Sequence, residues 1–280
     1  MHKESKIKLS ILLNISNMSK STYFFEINKI DKDDKNNDII EEIRTIFENS
    51  KRNYGVRRVY HVLKNRDYLI NHKKVQRIMK LNNFSARKHA QKYHSYQGTV
   101  GAVAKNLIKR DFKIDSPNMK WTTDISQFST SFGKCYLSPL MDMFNDEIIA
   151  YDLSLKANFN QIERMLNDAK FDCKDVSKLI IHSDQGWQYQ NPRYVEKLKN
   201  FNIKQSMSRK GNCYDNSIME SFFGIMKNEM FYGHENEYKS FAEFKKVVEE
   251  YIYYYNNERI KEKTGWKSPV QFRLNHEIIV

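Results

Sequence analysis

Three acids stand out by their setting. Asp124 lies mid-strand in WTTDISQFST, a run of β-branched, aromatic and hydroxyl side chains, where an ionised carboxylate is costly without a cation or partner. Asp184 ends KLIIHSD, which reads as a buried strand running into a loop, the usual place for site residues beside a parallel-sheet edge. Glu220 falls about one and a half turns into a helix expected to start near Tyr214. Any one of them alone is an ordinary surface-loop acid. Drawn from three separate elements of a basic chain, they read as an oxygen cage for hard divalent cations. Two such ions about 4 Å apart activate a water or hydroxyl and stabilise a leaving oxygen, which is what phosphodiester cleavage requires.

The charge balance points the same way. The 280 residues hold 47 Lys and Arg against 34 Asp and Glu, a net +13, which favours a polyanionic partner over an acidic small substrate. Between Lys51 and Arg110 there are sixteen basic residues and one acid, Asp67, so this stretch carries +15 and the remainder about −2. A basic face kept only for solubility has acids interspersed, and here they are missing. With 40% apolar residues and 13% aromatics, the chain can fill one full-sized domain and a smaller one. Cys135, Cys173 and Cys213 form no C-x-x-C pair, which argues against a disulfide framework or structural zinc. The apolar run ILLNI is too short for a signal-peptide core, and nothing reaches the roughly 18 residues of a membrane span. The expectation is a cytoplasmic protein with no membrane association.

Those residues need elements to hold them. After a short N-terminal helix, NKIDKDDKNND at 28–38 reads as an acidic linker. Three helical faces follow: Ile39, Ile43, Ile46 and Phe47; Val59, Val62 and Leu63; and Val75, Ile78, Met79 and Asn82. Tyr54-Gly55 separates the first two, and Asn71 is placed to cap the third. On that third helix Lys73, Arg77 and Lys80 make a basic stripe opposite the apolar one, as on a helix laid against DNA. With Lys74, Arg57 and Arg58 they are the candidate DNA contacts, although phosphate contact and groove reading look alike in one sequence.

Residues 85–116 are basic and weakly patterned, and the texture changes at Pro117. WTTDISQFST, GKCYLSPLMDMF and EIIAYDLSL predict three strands in an antiparallel meander. A helix near 159–170, the KLIIHSD strand, a helix near 191–200, a short strand near 203–207, and helices near 214–231 and 241–256 complete the reading. Strands followed by alternating helices and strands belong to the α/β class with a mixed sheet.

WTTDIS, HSDQGWQY, SRKGNCYDNSIMESFFGIMKNE and YYNNERIKEKTGWKSPVQF, taken in order with 35 residues between Asp184 and Glu220, resemble the catalytic core of DDE transposases and retroviral-type integrases. Within them the chain is most similar to bacterial insertion-sequence transposases encoded in two overlapping frames, matching the downstream product. The resemblance implies a ribonuclease-H-like five-stranded mixed sheet flanked by helices, preceded by a small all-α helix-turn-helix-like domain. It divides the chain into an N-terminal helix and linker (1–37), a basic DNA-binding domain (38–95), a basic linker (96–116), the core (117–235) and a helical extension (236–280). It makes Asp124, Asp184 and Glu220 catalytic ligands of Mg²⁺, with Mn²⁺ a substitute and no nucleotide cofactor. The implied reaction is nicking of element ends to free a 3′ hydroxyl that attacks another phosphodiester, by a copy-out, paste-in route through a circular intermediate.

Lys227 resembles the family's basic residue that contacts terminal DNA; seven residues past Glu220, it returns to the same helix face. His182, Ser183 and Gln185 flank Asp184 as loop- or water-positioning residues. Gly211, Asn212, Asp215 and Asn216 read as turn and cap residues aiming the Glu220 helix, Trp121 and Asp142 as core or strand-pairing residues, and Tyr254, Tyr255, Asn256 and Arg259 as packing and DNA-flank residues. The implied partners are double-stranded DNA at element ends and target, further copies of the chain on DNA, and the upstream-frame product, which supplies end recognition in that group. The paired His and paired Cys of the retroviral zinc domain are missing. The alternatives are an inactive DNA-binding remnant and a ribonuclease-H-fold nuclease without strand transfer. A glycosidase would use two acids but leaves the +15 stretch unexplained.

Overall fold

The computed structural model describes residues 8–25, 37–86, 103–112, 114–169, 176–209 and 213–279. Residues 28–36 of the acidic linker expected at 28–38, and the turn residues Gly211 and Asn212, lie outside them. The chain divides into two compact units, Met1–Arg87 and Lys88–Val280.

In the first unit, α1 (Leu9–Ile15) precedes α2 (Asn37–Asn49), α3 (Val56–Asn65) and α4 (His72–Leu81). Ile43, Ile46, Phe47, Val59, Leu63, Val75, Ile78 and Met79 are buried, so the three periodic faces meet in one small core. Asn71 Oδ1 accepts the Lys73 amide at 2.8 Å and caps α4. Lys73, Arg77, Lys80 and Arg57 are exposed, while Lys74 and Arg58 are half-buried. Arg58 lies 5.5 Å from the Tyr54 ring centroid.

The second unit is built on β1 (Lys120–Thr123), β2 (Ser126–Thr130), β3 (Gly133–Asp142), β4 (Glu147–Ser154), β5 (Ile180–Ser183) and β6 (Lys204–Met207). One half of β3 pairs antiparallel with β1, Trp121 opposite Asp142, and the other half with β2. β4 pairs with β3. β1 runs parallel to β5 and β5 parallel to β6. Helices α5 (Phe159–Asp168), α6 (Trp187–Gln190) and α7 (Pro192–Asn200) precede α8 (Ser217–Met226), which continues into a π-helical turn, Lys227–Phe231, before α9 (Phe241–Asn257) and α10 (Pro269–Ile279). Ile162, Met165, Leu166, Tyr194 and Leu198 pack with Trp121, Leu140 and Ile181 in one cluster. Phe222, Phe223, Met226, Phe244 and Val248 pack with Phe128, Leu137 and Met141 in another. A mixed sheet thus has helices over both faces.

The sequence reading departs from this fold in four places. Five strands become six, because Asp124 and Ile125 interrupt the first, and Asp124 is therefore between strands and not mid-strand. Its Oδ1 accepts the Ile125 amide at 2.7 Å, taking that donor out of the ladder. The helix expected from Tyr214 begins at Ser217 after a 3-10 turn, Cys213–Asn216, so Glu220 lies in its first turn. Helix α10, with proline at its first position, was not separately placed within the helical extension expected at 236–280, although that proline is a start signal. Residues 103–112, read as part of a linker, pack on the core: Ile108 is 2% exposed, the Leu107 amide donates to Ser206 Oγ at 2.9 Å, and Lys120 Nζ reaches Asp111 Oδ2 at 2.9 Å. No helix among the described residues is long and apolar enough to cross a membrane.

Candidate active site

Two neighbouring strands bring the aspartates together. Thr122 of β1 pairs with His182 of β5 in parallel, and two residues on, just past the ends of these strands, come Asp124 and Asp184. Asp184 Oδ1 accepts the Gly186 amide at 2.8 Å. A Cβ on Gly186 would stand 2.9 Å from Asp184 Oδ1 and 2.8 Å from Gln188 Oε1, so a larger residue there would push both of these side-chain ends aside. Glu220 arrives from α8, whose leading turn is tied to β1 where Thr122 Oγ1 donates to Asn216 Oδ1 at 2.8 Å.

The charges report this proximity. Burial, then the nearby Asp184, and also Glu220, push the Asp124 carboxyl well above the usual carboxylate range, against the Ile125 amide and Lys227. Asp184 and Glu220 are both raised by burial, with the Gly186 amide opposing at Asp184. Lys227 opens the π-helical turn, is 8% exposed, and holds Nζ 5.0 Å from the Phe128 ring centroid. Burial lowers its ammonium to about 8, opposed by Asp124. It interacts electrostatically with Asp124 from within the core.

Carboxylates desolvated against one another suit a divalent cation, which relieves the repulsion and supplies the missing positive charge. All three are hard oxygen donors. Among the described residues, however, no three His, Cys, Asp or Glu side chains already stand as a metal-holding group. Asp124 and Asp184 each have an oxygen turned onto their own backbone. Carboxylate oxygens of this kind suit a hard divalent cation by donor type.

The flanking residues brace the loop. His182 is fully buried, with Nδ1 2.9 Å from Ser206 Oγ, and burial pushes it down to about 4. Ser183 Oγ donates to the Asp184 carbonyl at 2.9 Å. Gln185 Nε2 donates to the Ser208 carbonyl at 2.9 Å, pinning the loop after β5 to the chain after β6. Sequence reasoning missed Tyr189, whose buried hydroxyl lies 3.4 Å from Thr123 Oγ1 and whose phenol is raised by burial, Asp124 and Asp184. It also missed Arg110 and Arg209, which grip Asp215. Arg259 and Tyr255 are buried, and Asn256 bonds both backbone groups of Ile148 at 2.9 Å, so these three pack the core. The basic stripe belongs to the other unit.

Residues 115–213 and 220–276 match the integrase core domain, and residues 34–92 match an HTH-like domain. The putative transposase InsK of insertion sequence element IS150, from Escherichia coli K12, is 42% identical over 265 residues, covering 95% of this chain and 93% of its own length. The chain belongs to the insertion-sequence transposases of the DDE superfamily. An uncharacterized transposase-like protein of Haemophilus influenzae is 53% identical over 204 residues, 73% of this transposase and 93% of that protein. Among solved structures, the HTLV-2 integrase catalytic core domain, determined with magnesium, is similar over 56% of the transposase and 97% of its own chain, at 17% identity and a TM-score of 0.45. The transposase is thus an enzyme of the polynucleotidyl-transferase class.

Proposed function

We propose that Asp124, Asp184 and Glu220 together hold Mg²⁺, or Mn²⁺ in its place, and carry out cleavage at the ends of a DNA element followed by joining of the freed 3′ hydroxyl to target DNA. The observation that carries this is the parallel β1–β5 seam, which delivers two aspartates to one place beside a helix-borne glutamate close enough to raise Asp124. When bound, divalent ions activate the attacking hydroxyl and stabilise the leaving oxygen. The protein supplies the rest. Gly186 and Gln185 set the Asp184 loop, and Asn216 ties the Glu220 helix to β1. Lys227 balances part of the carboxylate charge and places a cation where terminal phosphate would lie. Lys73, Lys74, Arg77, Lys80, Arg57 and Arg58 hold duplex DNA through phosphates. More than one copy on DNA, and an upstream-frame product supplying end recognition, complete the reading.

The test is Asp184→Asn, which keeps size and removes charge. Cleavage and joining should fall by several orders of magnitude, since metal activation supplies several kcal/mol of the barrier, while DNA binding survives. Asp124→Asn and Glu220→Gln should give the same loss without adding to it. A neutral-site protein that joins a pre-cut 3′ end at the wild-type rate overturns the assignment. Cleavage without joining in the unaltered protein selects the nuclease reading.

A further inference from the structure

Asp215 is buried but holds its charge through five donors. Arg209 gives its amide, Nε and Nη2 at 3.0, 2.9 and 2.9 Å, Arg110 its Nε at 3.0 Å, and Asn106 its Nδ2 at 2.9 Å. None of these donors belongs to the helix that carries Glu220. Arg209 comes from the chain after β6, and Asn106 and Arg110 from the segment ahead of β1. The next residue, Asn216, is tied to β1 through Thr122. Helix α8 starts directly from this turn, and Asn216 at its cap position gives it no side-chain capping bond. The first turn therefore lacks its usual local lock and depends on these outside ties. Exposed arginine pairs contribute little, but a buried carboxylate that loses its donors is left uncompensated. The same segment reaches the other side of the site, where Leu107 donates to Ser206 Oγ, the group that meets His182 Nδ1.

We propose that Asp215 is a positioning residue for the transposase reaction: the clasp that Asn106, Arg110 and Arg209 close on its carboxylate fixes the turn from which Glu220 projects, making residues 104–110 part of the catalytic apparatus. This rests on the reading of Glu220 given above.

The experiment compares the full chain with Arg110→Ala, Asn106→Ala, the two combined, Asp215→Asn and Glu220→Gln. Amide exchange is read first, on metal-free protein. Loosening the clasp should speed exchange at Glu220–Gly224, the first amides bonded within α8, about tenfold, the equivalent of one hydrogen bond to a charged group, with β1 and β5 amides unchanged. Cleavage of end DNA across a Mg²⁺ titration is read second. kcat should fall about ten- to a hundredfold and the half-saturating Mg²⁺ should rise, as when groups that orient metal ligands are lost, with KM for DNA unmoved. Arg110→Lys restores one donor and should recover most of both effects. Should Asp215→Asn fail to fold, the Arg110 and Asn106 variants carry the same readouts, because Arg209 keeps its three bonds. Unchanged exchange at Glu220–Gly224 in the combined variant, or a rise in KM with kcat intact, overturns the clasp. Glu220→Gln at the wild-type rate instead overturns the role of Glu220, and exchange alone then judges whether the clasp holds the turn.

Discussion

Burial keeps the His182 imidazole neutral down to about pH 4, whereas an exposed histidine takes up its proton near 6.5. Between those values the unfolded chain binds the extra proton, so stability falls as pH drops from about 6.5 towards 4 and gains nothing above it. In His182→Gln, which keeps a polar partner for Ser206 and does not titrate, the stability lost between pH 7 and pH 5 should shrink by roughly 2 kcal/mol. Denaturant midpoints at the two pH values measure it, and an undiminished loss would locate the acid sensitivity elsewhere. His182 was legible as a neighbour of Asp184 but not as a fully enclosed one. Asp184 itself was readable because a strand running into a loop marks its own end. Asp124 was readable as a costly acid and misread in place, since WTTDISQFST alternates straight through it and only the side chain's capture of the Ile125 amide breaks the strand. Spacing placed Lys227 on the Glu220 face; its enclosure and its π-helical turn depend on packing partners far along the chain.

Among elements, the π-helical turn after α8 has the most exacting support. Glu229 within it accepts Arg259 Nε and Nη2 at 2.9 and 2.7 Å and the Tyr251 hydroxyl at 2.9 Å, and all three side chains are buried. Removing one partner of such a pair leaves a bare charge in the core. Arg259→Ala should therefore cost about 3–5 kcal/mol in denaturant unfolding, whereas Glu229→Gln with Arg259→Met should recover much of it. Equal losses in the single and double variants would show that the site needs the packing and not the charge. π-helical turns cluster at functional sites, and this one begins at Lys227, so the double variant also tests whether Lys227 keeps its aim. Helices α5, α7 and α9 were readable because each repeats an apolar face at helical spacing. The segment 103–112 was not, because it packs through backbone amides and single side chains that leave no period.

For the molecule as a whole, the basic stretch from Lys51 to Arg110 is shared between two compact units, and its charges are not equivalent. Arg110 is spent on Asp215, whereas Lys73, Arg77 and Lys80 stand exposed on one helix. DNA affinity should weaken steeply with salt, with a log-log slope near −0.9 per phosphate neutralised. Changing Lys73, Arg77 and Lys80 together to alanine should lower both affinity and slope in filter-binding or anisotropy titrations. An unchanged slope would mean that α4 turns another face to DNA.

The β1–β5 seam also has a consequence in time. The small helical unit closes through neighbours in sequence, so it gains its contacts early in synthesis. The carboxylate site cannot, since Trp121 must wait for Ile181 and Thr122 for Asn216. A chain that ends before Glu220 would therefore hold the exposed basic stripe of α4 and lack the third carboxylate proposed above for the metal.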